Sequence, residues 1–355
     1  MNSSITIPDT ERVLFLLALF VAIIYGVRLT APVITIVMVS AVLALLLYPA
    51  TVWLRRKGLP PVGAVSMVTL IALVCIALVL YLTISSFDTI LRDLPQYQQD
   101  LQLRLADITV FLSLHGMSLA DLVPQTISIA NNIPTVISAV TDMGQDLMDL
   151  FFVGVTTFFM LLEAPAMINR VSSALADQRE KLSTLGRMSG FVVDFIVVRT
   201  ETNLVHGVLF GGVLAVMGVH AAILWGILTF VLGYIPYLGL ILAAIPAIFF
   251  AWLQFGIWGA VAVIAVVCFL NLIVENPVFS YLAARRFEIP ALVVILSVIF
   301  WGWLLGFAGM LFSVPFTLLV ATLFEFSDEL CWINQLLGLD HLFPKTDAQP
   351  VQSGG

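Results

Sequence analysis

The chain has 355 residues, 61% of them hydrophobic and only 10% charged, with a net charge of −7. Soluble domains carry about 25% charged residues, so this composition, with a mean hydropathy of +1.09, excludes a water-soluble globular protein. It points to an integral membrane protein, and the acidic balance argues against nucleic acid as a partner.

Apolar runs cover Val13–Val27, Pro32–Leu54, Val62–Ile84, Leu147–Leu162 and nearly everything from Val205 to Phe324. A bilayer core takes roughly 20 apolar residues per helix, which predicts about eight spans, some of them broken or short. A membrane β-barrel would show short alternating segments instead, and the sequence has none. The fold class expected is therefore an all-α polytopic membrane protein with broken or re-entrant segments and an external helical hairpin. Its expected organisation is N-terminal transmembrane helices over 1–85, an external amphipathic segment over 86–146 and a span with its cytoplasmic connection over 147–189. A core with broken helices follows over 190–326, then a cytoplasmic tail over 327–355.

Val13–Val27 follows Asp9, Glu11 and Arg12 and is succeeded at once by a second apolar run. It reads as a retained first helix, because a signal peptide has a basic leader and a small-residue cleavage site. Cys75 and Cys268 lie in apolar runs and Cys331 in the tail, a distribution that implies no disulfide framework.

Lys and Arg cluster at Arg55–Lys57, from Arg170 to Arg187, and at Arg285 and Arg286. Positive charge stays on the cytoplasmic side. The bilayer is thus expected to place these sites and both termini inside and Ser86–Gln145 outside. Within that segment Leu91, Leu94, Leu101, Leu105, Ile108 and Leu112 form one heptad-like seam, with Gln98 in its gap. Ile133, Val136, Val140, Met143, Leu147 and Leu150 form a second. Two readings stand: the helices fold back on each other, or they also meet neighbouring subunits and hold a homo-oligomer together.

The apolar half is interrupted. Val205–Val219 and Ala221–Leu232 are too short for two comfortable spans at 1.5 Å per residue, and Gly211, Gly212 and Gly218 punctuate them. In "GYIPYLGLILAAIPAIFF", Pro236 clashes with the Leu232 carbonyl and ends that helix. Tyr234, Tyr237 and Gly239 then flank an opened backbone. Gly302, Gly306, Gly309 and Pro315 interrupt Ala291–Phe324 in the same way. Paired interrupted segments point to a transporter's substrate site; an interfacial turn with an ordinary Tyr belt is the competing reading.

Polar residues in this half are few. Asn271, Glu275 and Asn276 fall within "FLNLIVENPVF", and the four-residue spacing puts Asn271 and Glu275 on one helix face. An intramembrane carboxylate marks a substrate or ion pathway; the alternative is that Glu275 caps a cytoplasmic end beside Arg285 and Arg286. Arg199, Glu201, Asn203 and His206, with Asp194, form a secondary candidate group or an amphipathic cytoplasmic segment. Glu163 reads as a snorkelling end residue. His115, His206, His220 and His341 are scattered, so no metal site or cofactor is expected.

Three stretches resemble one family, the autoinducer-2 exporters or PerM-type permeases. They are "LLYPATVWLRRKGLPPVGAV", the "IPYLGLILAAIPA" of the broken segment, and "ENPVFSYLAARRFEIPALVVILS" followed by "LLGFAGMLFSVPF". The chain departs from the family pattern at Leu240, Ile289, Ser280 and Tyr281, where the family often carries Pro, His and a Pro-basic pair. The resemblance implies a bacterial inner-membrane transporter, commonly an exporter driven by an ion gradient and a homo-oligomer.

The function expected is secondary transport, exporting a small polar organic molecule such as a signalling metabolite. A sodium (lithium)/proton antiporter and a non-catalytic membrane scaffold are the alternatives. The sequence shows no GxxxxGK[ST] phosphate loop and no HExxH helix, so neither ATP use within this chain nor an enzyme is expected. The partners expected are a small-molecule or ion substrate and the lipid bilayer.

Overall fold

The computed structural model describes residues 9–114, 143–176, 178–277, 289–327 and 329–343, and the described residues are helical throughout with no strand. Among them, twelve α-helices follow in order: α1 Asp9–Leu29, α2 Ala31–Arg56, α3 Pro61–Arg92, α4 Leu94–Leu114, α5 Met143–Ala174 and α6 Arg179–Val216. Then come α7 Ala222–Leu232, α8 Gly239–Phe255, α9 Ile257–Leu270, α10 Ala291–Leu311, α11 Ser313–Glu325 and α12 Cys331–Leu336. A π-helical turn, Asn271–Glu275, extends α9.

By length and composition alone, five of the described helices could cross a membrane: α2, α3, α5 from Met148, α9 with its π turn, and α10, which is broken at Gly306. Three more, α7, α8 and α11, are apolar but short. The chain is an all-α polytopic membrane protein, as its composition predicts. One expectation needs correcting. The run from Val205 to Val219 is not a separate short segment: up to Val216 it is the end of α6, a continuous helix of 38 residues. Asp194, Arg199 and Glu201 interrupt the apolar residues along it, which is why a hydropathy reading cuts it in two.

Local chemistry explains the turns. α2 ends on Arg55 and Arg56, where cations favour the carbonyl end of the helix dipole, and Pro61 opens α3. The α6–α7 hairpin closes on a backbone contact: a Cβ at Gly207 would lie 2.6 Å from the Gly226 carbonyl, and one at Gly226 2.7 Å from that of Gly207. With Gly211 one turn on, this is the small-xxx-small packing that membrane helices use in place of a hydrophobic driving force. α9 leaves α8 through Gly256 (φ 69°, ψ −159°), and α10 folds back on itself at Gly306 (φ 69°, ψ −149°).

One end of the bundle gathers α4, the α6–α7 turn and the α8–α9 turn. There the Tyr97 hydroxyl meets His220 Nδ1 at 3.1 Å, and Arg104 donates to the Leu253 and Gln254 carbonyls, both at 3.1 Å. The opposite end holds the start of α6, the start of α10 and α12, with Met188, Leu339 and Leu342 in one apolar cluster. The α7–α8 hairpin therefore starts and finishes at the α4 end. Its turn, Gly233–Leu238, enters the bundle.

Leu91 lies in the last turn of α3, Leu94 opens α4, and a break at Asp93 lies between them, so the first of the two expected seams is split over two helices. Ile133, Val136 and Val140 of the second seam lie outside the described residues.

Candidate functional site

The site forms where two interruptions meet a continuous helix: the α7–α8 turn and the π turn after α9 close on the face of α6 around Arg199. Arg199, Asn203 and His206 follow an i, i+4, i+7 spacing, which aligns them on one helix face. All three face inward, exposed by only 6%, 1% and 3%. Glu201, on another face of α6, is exposed beside Leu204 and Val205 and takes no part.

The turn supplies backbone. Pro236 has no N–H to continue a ladder; α7 stops at Leu232, and the chain turns through Tyr237 in the left-handed region (φ 63°). Gly239 is required here, because a Cβ at that position would strike the Leu232 carbonyl. This tight closure leaves the Gly233 carbonyl without a regular helical partner, and Arg199 Nε donates to it at 3.0 Å. Tyr234 closes the other flank: its hydroxyl lies 2.6 Å from Thr200 Oγ1 and its ring 6.3 Å from that of Phe312. Tyr237, by contrast, is 46% exposed and points away.

The π turn supplies the carboxylate. Hydrogen bonds from i to i+5 widen the helix, a device that recurs at functional sites. It turns Glu275 inward, and Arg199 Nη1 donates to Glu275 Oε2 at 2.8 Å. The side chains of this pair are 7% and 9% exposed. Asn271 and Asn276 are exposed, whereas Glu275 is buried. The single face expected for Asn271 and Glu275 assumes a regular α-helix, and the π turn removes that register. Arg285 and Arg286, the alternative partners, lie outside the described residues. Glu163 pairs instead with Arg170 at 3.0 Å on an exposed face.

A buried ion pair contributes little net stability, because two desolvated charges offset their mutual attraction. Inside a membrane bundle such a pair marks a pathway or a switch by default. Two atoms beside it strengthen that assignment: Asn203 Nδ2 and His206 Nε2 are buried and make no hydrogen bond within the protein. Buried polar atoms are nearly always paired. Two orphans on one helix face, beside an ion pair, describe a place for something polar to bind.

A family description, "AI-2E family transporter", matches residues 14–328, which include every element of this site. The chain belongs to the AI-2E transporter family. It is 31% identical over 316 residues to the AI-2 transport protein TqsA of Escherichia coli K12, covering 88% of this chain and 92% of TqsA. It is 27% identical over 315 residues to YhhT of the same strain, covering 87% of this chain and 90% of YhhT. A Haemophilus influenzae putative transport protein is 30% identical over 345 residues, with 93% and 97% covered.

Sequence reasoning singles out Arg199, Asn203, His206, Glu275 and Tyr234 but does not join them. Thr200, the Gly233 carbonyl and the π turn are not among its candidates. The i, i+4, i+7 spacing of Arg199, Asn203 and His206 is the available signal. It is masked by the charged residues around it, which give the segment the look of a cytoplasmic helix.

Proposed function

We propose that this AI-2E family member is a secondary transporter of the bacterial inner membrane that exports a small polar organic molecule, coupled to an ion gradient. The observation that carries the reading is the buried Arg199–Glu275 pair, closed over the turn of a hairpin that enters the bundle and returns to the same end. Glu275 and Arg199 form the switch, Asn203 and His206 offer polar contacts, and Tyr234, Pro236 and Gly239 shape the gate. TqsA is named for AI-2 transport, which supports a signalling metabolite as the class of cargo.

The sodium/proton antiporter is the second reading, because a buried carboxylate is what such an antiporter needs. Arg199 weighs against it: a sodium ion at Glu275 would sit beside a guanidinium that cannot give up its proton. In this reading the segment from Ser86 to Gln145 lies outside, both termini lie inside, and the external helices support a homo-oligomer. The test compares metabolite levels inside and outside cells carrying no copy of the gene, the wild type, or Glu275→Gln at matched membrane abundance. Export predicts a small polar metabolite that is retained without the gene and with the variant. Equal distributions in all three strains overturn the reading.

A further inference from the structure

The site is electrically closed. Arg199 carries a charge it cannot lose, Glu275 balances it at 2.8 Å, and both are buried. Any step that changes this balance leaves an uncompensated charge in the bundle interior, and removing one partner of a buried pair is strongly unfavourable. Opening the pair therefore requires a substitute of the same sign as the group displaced. When Glu275 takes a proton, its Oε2 no longer balances Arg199, and a negative group must replace it.

The neighbouring atoms suit such a group. Arg199 has five N–H donors in a fork that matches a carboxylate or phosphate, and its two observed bonds use Nε and Nη1. Asn203 Nδ2 is a donor only, it is unpartnered, and it lies on the same face of α6. Asn203 also lies against Gly233, the residue whose carbonyl Arg199 holds: a Cβ there would be 2.5 Å from Asn203 Oδ1. His206 Nε2 is the second unpartnered atom and becomes a donor in the matching tautomer. Among the described residues, the titratable and charged groups near Glu275 are Arg199 and His206 from α6, and Tyr234 of the α7–α8 turn stands near Arg199.

We infer that the site binds ligands carrying one negatively charged group, and that each ligand enters together with one proton, which Glu275 accepts as the anion takes its place on Arg199. The balance is complete: the proton neutralises the Glu275 carboxylate, the ligand's negative group pairs with Arg199, and the net charge of the site stays constant. Release reverses both steps. Transport through the site is then electroneutral, and neutral polyols and monovalent cations are poor ligands. This inference rests on the transport reading of the same site and adds the charge of its cargo.

Formate, the smallest carboxylate, serves as the probe. Thermal unfolding of the purified full chain is followed as formate replaces the bulky benzenesulfonate anion at constant ionic strength. Ligand that binds only the folded state raises the midpoint. At pH 8 formate is expected to raise the midpoint of Glu275→Gln by several degrees and to leave the double variant Arg199→Gln/Glu275→Gln unmoved. In the wild type the formate concentration for half-maximal effect should fall about tenfold per pH unit from pH 8 to 6, the signature of one linked proton. In Glu275→Gln that dependence should vanish. A wild type that formate does not stabilise, or stabilises independently of pH, overturns the inference even where Glu275→Gln fails to fold. So does stabilisation by sodium in place of formate. If formate behaves as expected while Glu275→Gln cells keep the wild-type metabolite distribution, the transport reading fails and the anion site stands. If export is lost in those cells and formate has no effect, the anion site fails and the transport reading stands.

Discussion

Two arginines hold the same helical hairpin at opposite ends. Arg104 on α4 donates to the Leu253 and Gln254 carbonyls in the last turn of α8. Arg199 on α6 donates to the Gly233 carbonyl at the hairpin's inner turn. Both answer the same need, since backbone carbonyls at a helix break lack intrahelical partners. The difference lies in what else each site contains. Around Arg104 the neighbours hold one another: Tyr97 Oη reaches His220 Nδ1, and the His220 backbone N–H donates to Gln254 Oε1 at 3.2 Å. Gln254 Nε2 is an orphan there, but among the described residues no buried carboxylate stands beside it. Around Arg199 there is a buried carboxylate, a π turn and two orphaned nitrogens. The first arrangement is a cap. The second is a cap that also holds a buried carboxylate and unpartnered polar atoms, and that surplus is the basis of the function proposed for it.

The comparison is broken most sharply by removing one charge from the inner pair. Glu275→Gln leaves Arg199 buried and unbalanced, a loss of about 3–5 kcal/mol. Arg199→Gln/Glu275→Gln should recover most of that stability in detergent unfolding while remaining inactive. Recovery of export along with stability would make the pair structural only.

Gly239→Ala tests the turn. Its Cβ would meet the Leu232 carbonyl, so the hairpin cannot close without backbone movement, at a cost of about 3 kcal/mol. The expected outcome is lost export together with a lowered unfolding midpoint. An unchanged midpoint would show that the turn has a second conformation available.

Arg104→Gln should cost less, about 1.5–3 kcal/mol for charge-assisted bonds, and export per folded molecule should persist. If Arg104→Gln abolishes export at unchanged stability, the two ends are coupled and the contrast between them fails.

The smallest effect concerns Tyr97. Burial, with Asp93 and Asp100 alongside, pushes its phenol up to about 12. A tyrosine raised in the folded state stabilises the fold fully below its unfolded value of about 10 and loses that contribution as pH rises from there. The midpoint should fall between about pH 10 and pH 12, and Tyr97→Phe should remove that slope. An unaltered slope would assign alkaline loss to other groups.

The membrane class, the apolar spans and the broken α7–α8 hairpin are legible in the sequence because each rests on a local property. Pro236 lacks an N–H wherever it stands, and a long apolar run stays apolar in any fold. The site is legible only in pieces. Arg199 and Glu275 are 76 residues apart, and nothing local signals their pairing. The π turn is not visible in a four-residue spacing, which groups Asn271 with Glu275 although the structure leaves Asn271 exposed and buries Glu275. The run of charged residues before Val205 misleads for a related reason. Glu201 and Arg199 look alike as charges in a row, and only burial separates them.

The central claim is that the buried pair lies on a path which water and solute reach. In a background with Cys75, Cys268 and Cys331 replaced by Ala, the labelling rate of Asn203→Cys by a small membrane-impermeant thiol reagent tests it directly. Leu214→Cys, on the same helix and fully buried at 0% exposure, is the control. A transport pathway predicts that position 203, although only 1% exposed in this conformation, is labelled at least tenfold faster than position 214, as the hairpin opens. Equal and negligible labelling at the two positions would make the Arg199–Glu275 pair part of a closed core and contradict the account.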